Sequence, residues 1–131
     1  MSASIAKVLL VDDEPDIRKI GEMSLRRVGG WDVVLASSGR EAVALAASAR
    51  PDVILLDVMM PDMDGPTALA ELRARPATAE VPVIFITAKV QKHEIDRYLS
   101  LGVAGVIRKP FDPLGLPADV LRIVEGRARE A

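Results

Sequence analysis

Three observations predict an α/β fold in which one parallel sheet is covered by helices on both faces. Five short runs of branched apolar residues recur along the 131-residue chain, reading as strands buried on both sides. Between them lie stretches with apolar residues near helical spacing, joined by short connections. Such alternation implies parallel pairing and right-handed crossovers. Half the residues are hydrophobic but only Trp31, Phe85, Tyr98 and Phe111 are aromatic, so the core must be aliphatic.

Lys7 to Val11 is the first strand, running into Asp12-Asp13-Glu14-Pro15. Pro15 to Val28 is predicted as a helix with Ile17, Ile20, Leu25 and Val28 inward, stopped by Gly29-Gly30. Trp31 to Ala36 is a strand centred on Val33, Val34 and Leu35, and Ser38 or Gly39 opens an alanine-rich helix to about Ala49. Pro51 precedes the third strand, Val53 to Leu56, the most continuously apolar run, which ends on Asp57. Pro61, Asp62, Asp64 and Gly65 punctuate a solvated loop, and Pro66 sits where a first helical residue often does. That helix passes through Leu69 and Leu72 and ends by Arg75-Pro76. Val81 to Ile86 is a strand ending on Thr87-Ala88; Gln91 to Leu101 is a helix with Ile95 and Leu99 inward and Gly102 as its stop. Val103 to Ile107 is the fifth strand, followed by Arg108-Lys109-Pro110-Phe111. The last helix is predicted from about Leu116 to the end, with Val120, Leu121 and Val124 as its buried stripe.

Length predicts one domain spanning residues 1–131. A formal net charge of -2 and a pI near 5.4 argue against direct nucleic-acid binding, which needs a basic face. With no cysteine there is neither disulfide nor thiolate chemistry. No segment has the apolar length of a signal peptide or of a membrane span of roughly 20 residues, so a cytoplasmic protein is expected.

In a parallel sheet the carboxyl ends of the strands share one edge, where ligands bind. On that edge the sequence places Asp12 and Asp13 from the first strand, Asp57 from the third, Thr87 from the fourth and Lys109 from the fifth. Two carboxylates about 4 Å apart at an effective dielectric near 20 repel by roughly 4 kcal/mol, so such a trio calls for a divalent cation or a retained proton. Oxygen-only ligands favour Mg²⁺. Lys109 and the Thr87 hydroxyl then suit a phosphoryl group, and the set describes phosphoryl transfer to an aspartate. Asp57 is the preferred acceptor because it stands alone on the most central strand. Each residue also has an ordinary structural reading: Asp12, Asp13 and Thr87 as helix caps, Lys109 as surface. Five falling together on one edge outweighs those readings.

Asp12-Asp13 after a Val-rich strand, Asp57-Val-Met-Met-Pro-Asp-Met-Asp-Gly65, Ile86-Thr87-Ala88 and Lys109-Pro110-Phe111 resemble the receiver domain of bacterial two-component response regulators. The resemblance covers nearly the whole chain. It implies a flavodoxin-like sheet in the order 2-1-3-4-5, an order for which a receiver protein is itself a standard example. It implies phosphorylation of Asp57 by a sensor histidine kinase or phosphotransfer protein, with Mg²⁺ held by Asp12, Asp13, Asp57 and the backbone carbonyl of Met59. Thr87 and Lys109 would contact the phosphoryl oxygens, and the Lys109–Pro110 peptide would be cis. Such a protein catalyses only its own phosphorylation and dephosphorylation.

Two positions depart from the family. Its usual aromatic switch residue stands three before the lysine, where this chain has Val106, and an acid frequent at the start of the fifth strand is replaced by Ala104-Gly105. The change on phosphorylation is therefore expected in the Ala88 to Glu94 loop, with Val90, His93 and Tyr98 as the surface offered to a downstream protein. The expected function is a stand-alone phosphorylation-dependent switch, or a relay or sink for phosphoryl groups. The alternatives are a receiver excised from a larger regulator or hybrid kinase, an aspartyl-nucleophile phosphatase, a flavin binder and a degenerate receiver. The phosphatase expects a second aspartate where Met59 stands, and acids after the first strand would repel a flavin phosphate.

Overall fold

Strands β1 (Lys7–Val11), β2 (Asp32–Ala36), β3 (Val53–Asp57), β4 (Val83–Thr87) and β5 (Gly105–Arg108) form one parallel sheet in the order β2-β1-β3-β4-β5. The structure, a computed structural model, describes residues 4–130 and the side chains of residues 4–126. Helices α1 (Pro15–Met23), α2 (Gly39–Ala49), α3 (Gly65–Arg73), α4 (Lys92–Ser100) and α5 (Leu116–Glu130) complete this flavodoxin-like fold. The expected extension of the last helix to Ala131 lies outside the described residues.

Successive strand residues point to opposite faces, and both faces are buried. Leu9, Val11, Ile54, Leu56, Val83 and Phe85 pack with Ala42, Ala46, Leu69 and Leu72 of α2 and α3. Val8, Leu10, Val53, Leu55, Ile84 and Ile86 pack with Leu25, Leu116, Val120 and Val124 on the other face. Each fully buried aliphatic side chain is worth about 1.5–3 kcal/mol, and this two-sided core holds the carboxyl edge of the sheet rigid. Two glycines permit close approach. A Cβ on Gly21 would lie 2.6 Å from Leu10 Cδ2, so α1 sits directly on β1; one on Gly65 would lie 2.9 Å from the Asp57 carbonyl oxygen, so α3 starts against the end of β3.

The first helix departs from its prediction. Regular α-helix ends at Met23 and residues Ser24–Val28 form a π-helical turn, with the Gly29 N–H bonded to the Ser24 carbonyl at 3.1 Å. The wider turn shifts the helical phase of its residues, so Leu25 is buried while Val28 is 50% exposed. Ile20, also expected inward, is 42% exposed, because Gly21 and Ser24 occupy the face against the sheet. In α4 the inward residue is Tyr98 rather than Leu99, which is 45% exposed. The Tyr98 ring packs edge-on against Phe85 at 5.3 Å, the larger apolar surface winning the buried position. In α5, Leu121 is half-buried, and Leu116 joins Val120 and Val124 in the core.

Candidate functional site

The register aligns the strand ends. Val11 pairs with Leu56, Asp57 with Ile86 and Thr87 with Arg108, so the residues after β1, β3, β4 and β5 converge on one edge. The chain order reverses between β1 and β3, where such sheets open a crevice. Asp12, Asp13, Asp57 and Lys109 meet there, and Thr87 ends β4 on the same edge. Oxygens of Asp12, Asp13 and Asp57 lie within 4.8 Å of one another; Asp12 and Asp57 are buried and Asp13 is half-buried. Lys109 Nζ donates to Asp12 Oδ2 at 2.9 Å and lies 3.4 Å from Asp57 Oδ2. The Thr87 side chain is buried, and its Oγ1 accepts from the Lys89 N–H at 3.0 Å. The Lys109–Pro110 peptide is cis.

Local backbone bonds fix these groups. Asp12 Oδ1 accepts from the Glu14 N–H at 2.9 Å, and Asp57 Oδ1 from the Met59 N–H at 3.3 Å. Two members lie outside the expected set. Glu14 Oε1 takes a second bond from Lys109 at 3.3 Å, and Arg18 Nη1 donates to the Asp12 carbonyl at 2.7 Å. Glu14 follows the acid pair directly and Arg18 stands on the first turn of α1, so proximity in the chain was the available signal. The acidic loop is structural at one position, where Asp64 caps α3 by accepting from the Thr67 N–H.

The electrostatics are those of an over-acidic pocket. Burial first, and the charge of Asp12 second, push Asp57 from 3.8 up to about 7 against the pull of Lys109. Burial opposes the charge of Lys109, but its bonds and attraction to Asp12, with Asp57 and Glu14, outweigh burial and raise its pKa. Asp57 Oδ2 is buried without a hydrogen-bond partner, its contact with Lys109 being ionic only. An orphaned carboxylate oxygen beside two more carboxylates fits a hard divalent cation ligated by oxygen.

Of the residues expected at the output surface, His93 is exposed and Val90 half-buried, but Tyr98 is only 5% exposed and offers no ring surface. Val106 is half-buried opposite Phe85 and packs on the same cluster.

This sheet order and this acidic edge define a class of phosphoryl-accepting signalling modules. Residues 8–120 match the family model described as the response regulator receiver domain, and the chain belongs to that family. It is 34% identical to chemotaxis protein CheY4 of Vibrio cholerae, with a TM-score of 0.84 over 92% of this chain and 99% of that one. The receiver domain of sensor histidine kinase PA1611 from Pseudomonas aeruginosa, whose structure has a magnesium ion coordinated in the active site cleft, is 32% identical with a TM-score of 0.80, covering 94% and 99%. The alkaline phosphatase synthesis transcriptional regulatory protein PhoP of Bacillus subtilis is 37% identical over 90% of this chain and 48% of its own. The probable transcriptional regulator ycf27 of Guillardia theta is 41% identical over 90% and 45%. The chain thus spans under half the length of these curated relatives. As a receiver domain it is a phosphorylation-dependent signalling switch. Among the described residues no helix is long and apolar enough to cross a membrane.

Proposed function

We propose that Asp57 accepts a phosphoryl group from a phosphohistidine of a sensor kinase or phosphotransfer protein, in the cytoplasm. The observation that carries this is the buried Asp57 carboxylate with its orphaned oxygen, within reach of two more carboxylates and of Lys109. A carboxylate oxygen of Asp57 attacks phosphorus, the P–N bond breaks, and the donor imidazole leaves with the electron pair and takes up a proton. Asp12, Asp13, Asp57 and the Met59 carbonyl would hold Mg²⁺, which when bound supplies positive charge to the transferring oxygens. Lys109 turns from Asp12 and Glu14 toward the phosphoryl oxygens, a short movement for a flexible chain already 3.4 Å from Asp57. The Thr87 oxygen accepts from Lys89, so its own proton is free for a phosphoryl oxygen. The protein catalyses only its own phosphorylation and dephosphorylation, and signals by docking a downstream protein or passing the group on.

An apolar patch supports the proposed donor. Exposed Ile20, Met23, Val28 and Leu114 gather with Pro113 beside the loop that follows Lys109, and the Ser24 hydroxyl ties that loop to the first helix by donating to the Pro113 carbonyl. Such a patch suits a helical partner that brings its histidine to the carboxyl edge. The test is labelling by acetyl phosphate or beryllofluoride, followed by mass spectrometry. Modification should require Mg²⁺ and vanish in Asp57→Asn; a variant labelled as fully as wild type would overturn the assignment.

A further inference from the structure

A second concavity, of about 640 Å³, lies between the loop after β3 and helix α4. Met59 and Pro66 form one wall, and Lys89, His93 and Arg97 line the other. Those three basic positions are four residues apart. His93 and Arg97 are one helical turn, about 6 Å, apart along α4, and Lys89 continues the row beyond the start of the helix. None of the three side chains has an ion-pair or hydrogen-bond partner among the described residues. Lys92, on the same helix but outside the cleft, is paired to Asp96 at 2.8 Å.

Two carboxylates also line the cleft, and both are engaged. Asp64 accepts from the Thr67 N–H and Glu94 from the Gln91 N–H, so each caps a helix N-terminus whose partial positive charge offsets its own. Tyr98 adds an independent observation. Its ring is buried against Phe85, yet it lines the cleft and its hydroxyl has no hydrogen-bond partner among the described residues. The hydroxyl is not among the buried polar atoms left without a partner, so it opens into the cleft as a donor free to meet a ligand there.

We propose that this cleft binds an acidic peptide segment of a protein partner. One carboxylate sits between Arg97 and the Tyr98 hydroxyl, others follow the row toward His93 and Lys89, and an apolar side chain lies on Met59 and Pro66. Two spaced cations, Lys89 and Arg97, with the His93 ring between them, favour a run of acidic residues over a single small anion. Met59 is 60% exposed and adaptable, which suits an apolar anchor. The Lys89 N–H is bonded to Thr87 Oγ1, so the basic end of the cleft is tied to the phosphoryl site. That coupling, unlike the binding itself, rests on the proposed role of Asp57.

The test uses a fluorescein-labelled peptide, Glu-Asp-Glu-Leu-Glu-Asp-Glu, followed by anisotropy and by amide NMR shifts of the full chain. Shifts are expected in residues 59–66 and 89–98. Arg97→Glu should weaken binding roughly tenfold or more, and Tyr98→Phe, which keeps the ring packing, about threefold. Replacing the peptide's leucine with serine should weaken it too. Absence of binding, equal affinity in Arg97→Glu, shifts on another face, or competition by millimolar inorganic phosphate as effective as unlabelled peptide would overturn the proposal. Asp57→Asn separates the two readings: it should still bind the peptide, while losing any change in affinity that beryllofluoride produces in wild type.

Discussion

Asp57→Asn is expected to stabilise the metal-free protein, and to do so more strongly as pH rises. Asp57 is 2% exposed and is raised from 3.8 to about 7 by burial and then by Asp12, against Lys109. Between those two values the folded state holds a proton that the unfolded state has released. The group's contribution is therefore fully present below about pH 4, is lost progressively up to about pH 7, and stays lost above. At about 1.4 kcal/mol per pH unit the whole interval amounts to about 4 kcal/mol. Asparagine has nearly the same volume and an oxygen for the Met59 N–H, but it never ionises, and Lys109 keeps Asp12 and Glu14 as partners. Urea unfolding in EDTA should show the variant ahead by about 4 kcal/mol at pH 8 and by only about 1.5 kcal/mol at pH 5. Mg²⁺ at pH 8 should stabilise wild type more than the variant. A variant no more stable than wild type at pH 8, or a gap unchanged at pH 5, would refute the reasoning.

Other consequences concern the surroundings of the same carboxylate. Met59 cannot orient a hydrolytic water, so phosphorylated wild type should lose phosphate slowly and Met59→Asn several-fold faster; equal decay in a phosphate-release assay counts against this. Beryllofluoride with Mg²⁺ should change amide exchange in residues 88–98, because the Thr87 hydroxyl, which accepts from the Lys89 N–H, turns its own proton to the phosphoryl mimic and draws that loop with it; protection changes confined to the loop after Asp57 would exclude it. Gly65→Ala puts a methyl 2.9 Å from the Asp57 carbonyl oxygen and from Val58 Cα, both backbone atoms that cannot swing aside. It should cost about 1–3 kcal/mol in chemical denaturation and slow phosphorylation.

Asp12, Asp13, Asp57, Thr87 and Lys109 were legible because a parallel sheet brings the residues after its buried strands to one edge, and the strands are written as continuous apolar runs. The sheet order came with the motifs, through resemblance, since periodicity states which segments are strands and not which of them are neighbours. The boundaries at Ser38 and Gly102 were legible from cap chemistry and the start of α3 from Gly65-Pro66, whereas its actual cap, Asp64, reads in the sequence as solvated loop.

What the sequence determined by itself is thus the alternation of elements and the chemistry of the sheet edge, both local properties of the chain. Tertiary structure decided the remainder. The π-turn at Ser24 to Val28 turns Val28 outward, and α4 rolls to bury Tyr98 on Phe85 and leave Leu99 exposed. Helical spacing could not distinguish these faces, because apolar residues stand on both and only packing against the sheet chooses between them. The same holds for Glu14 on Lys109 and Arg18 on the Asp12 carbonyl. The Glu14 bond depends on where the start of α1 lies relative to Lys109 after β5, which long-range packing sets, and the Arg18 bond on how α1 turns back over the end of β1.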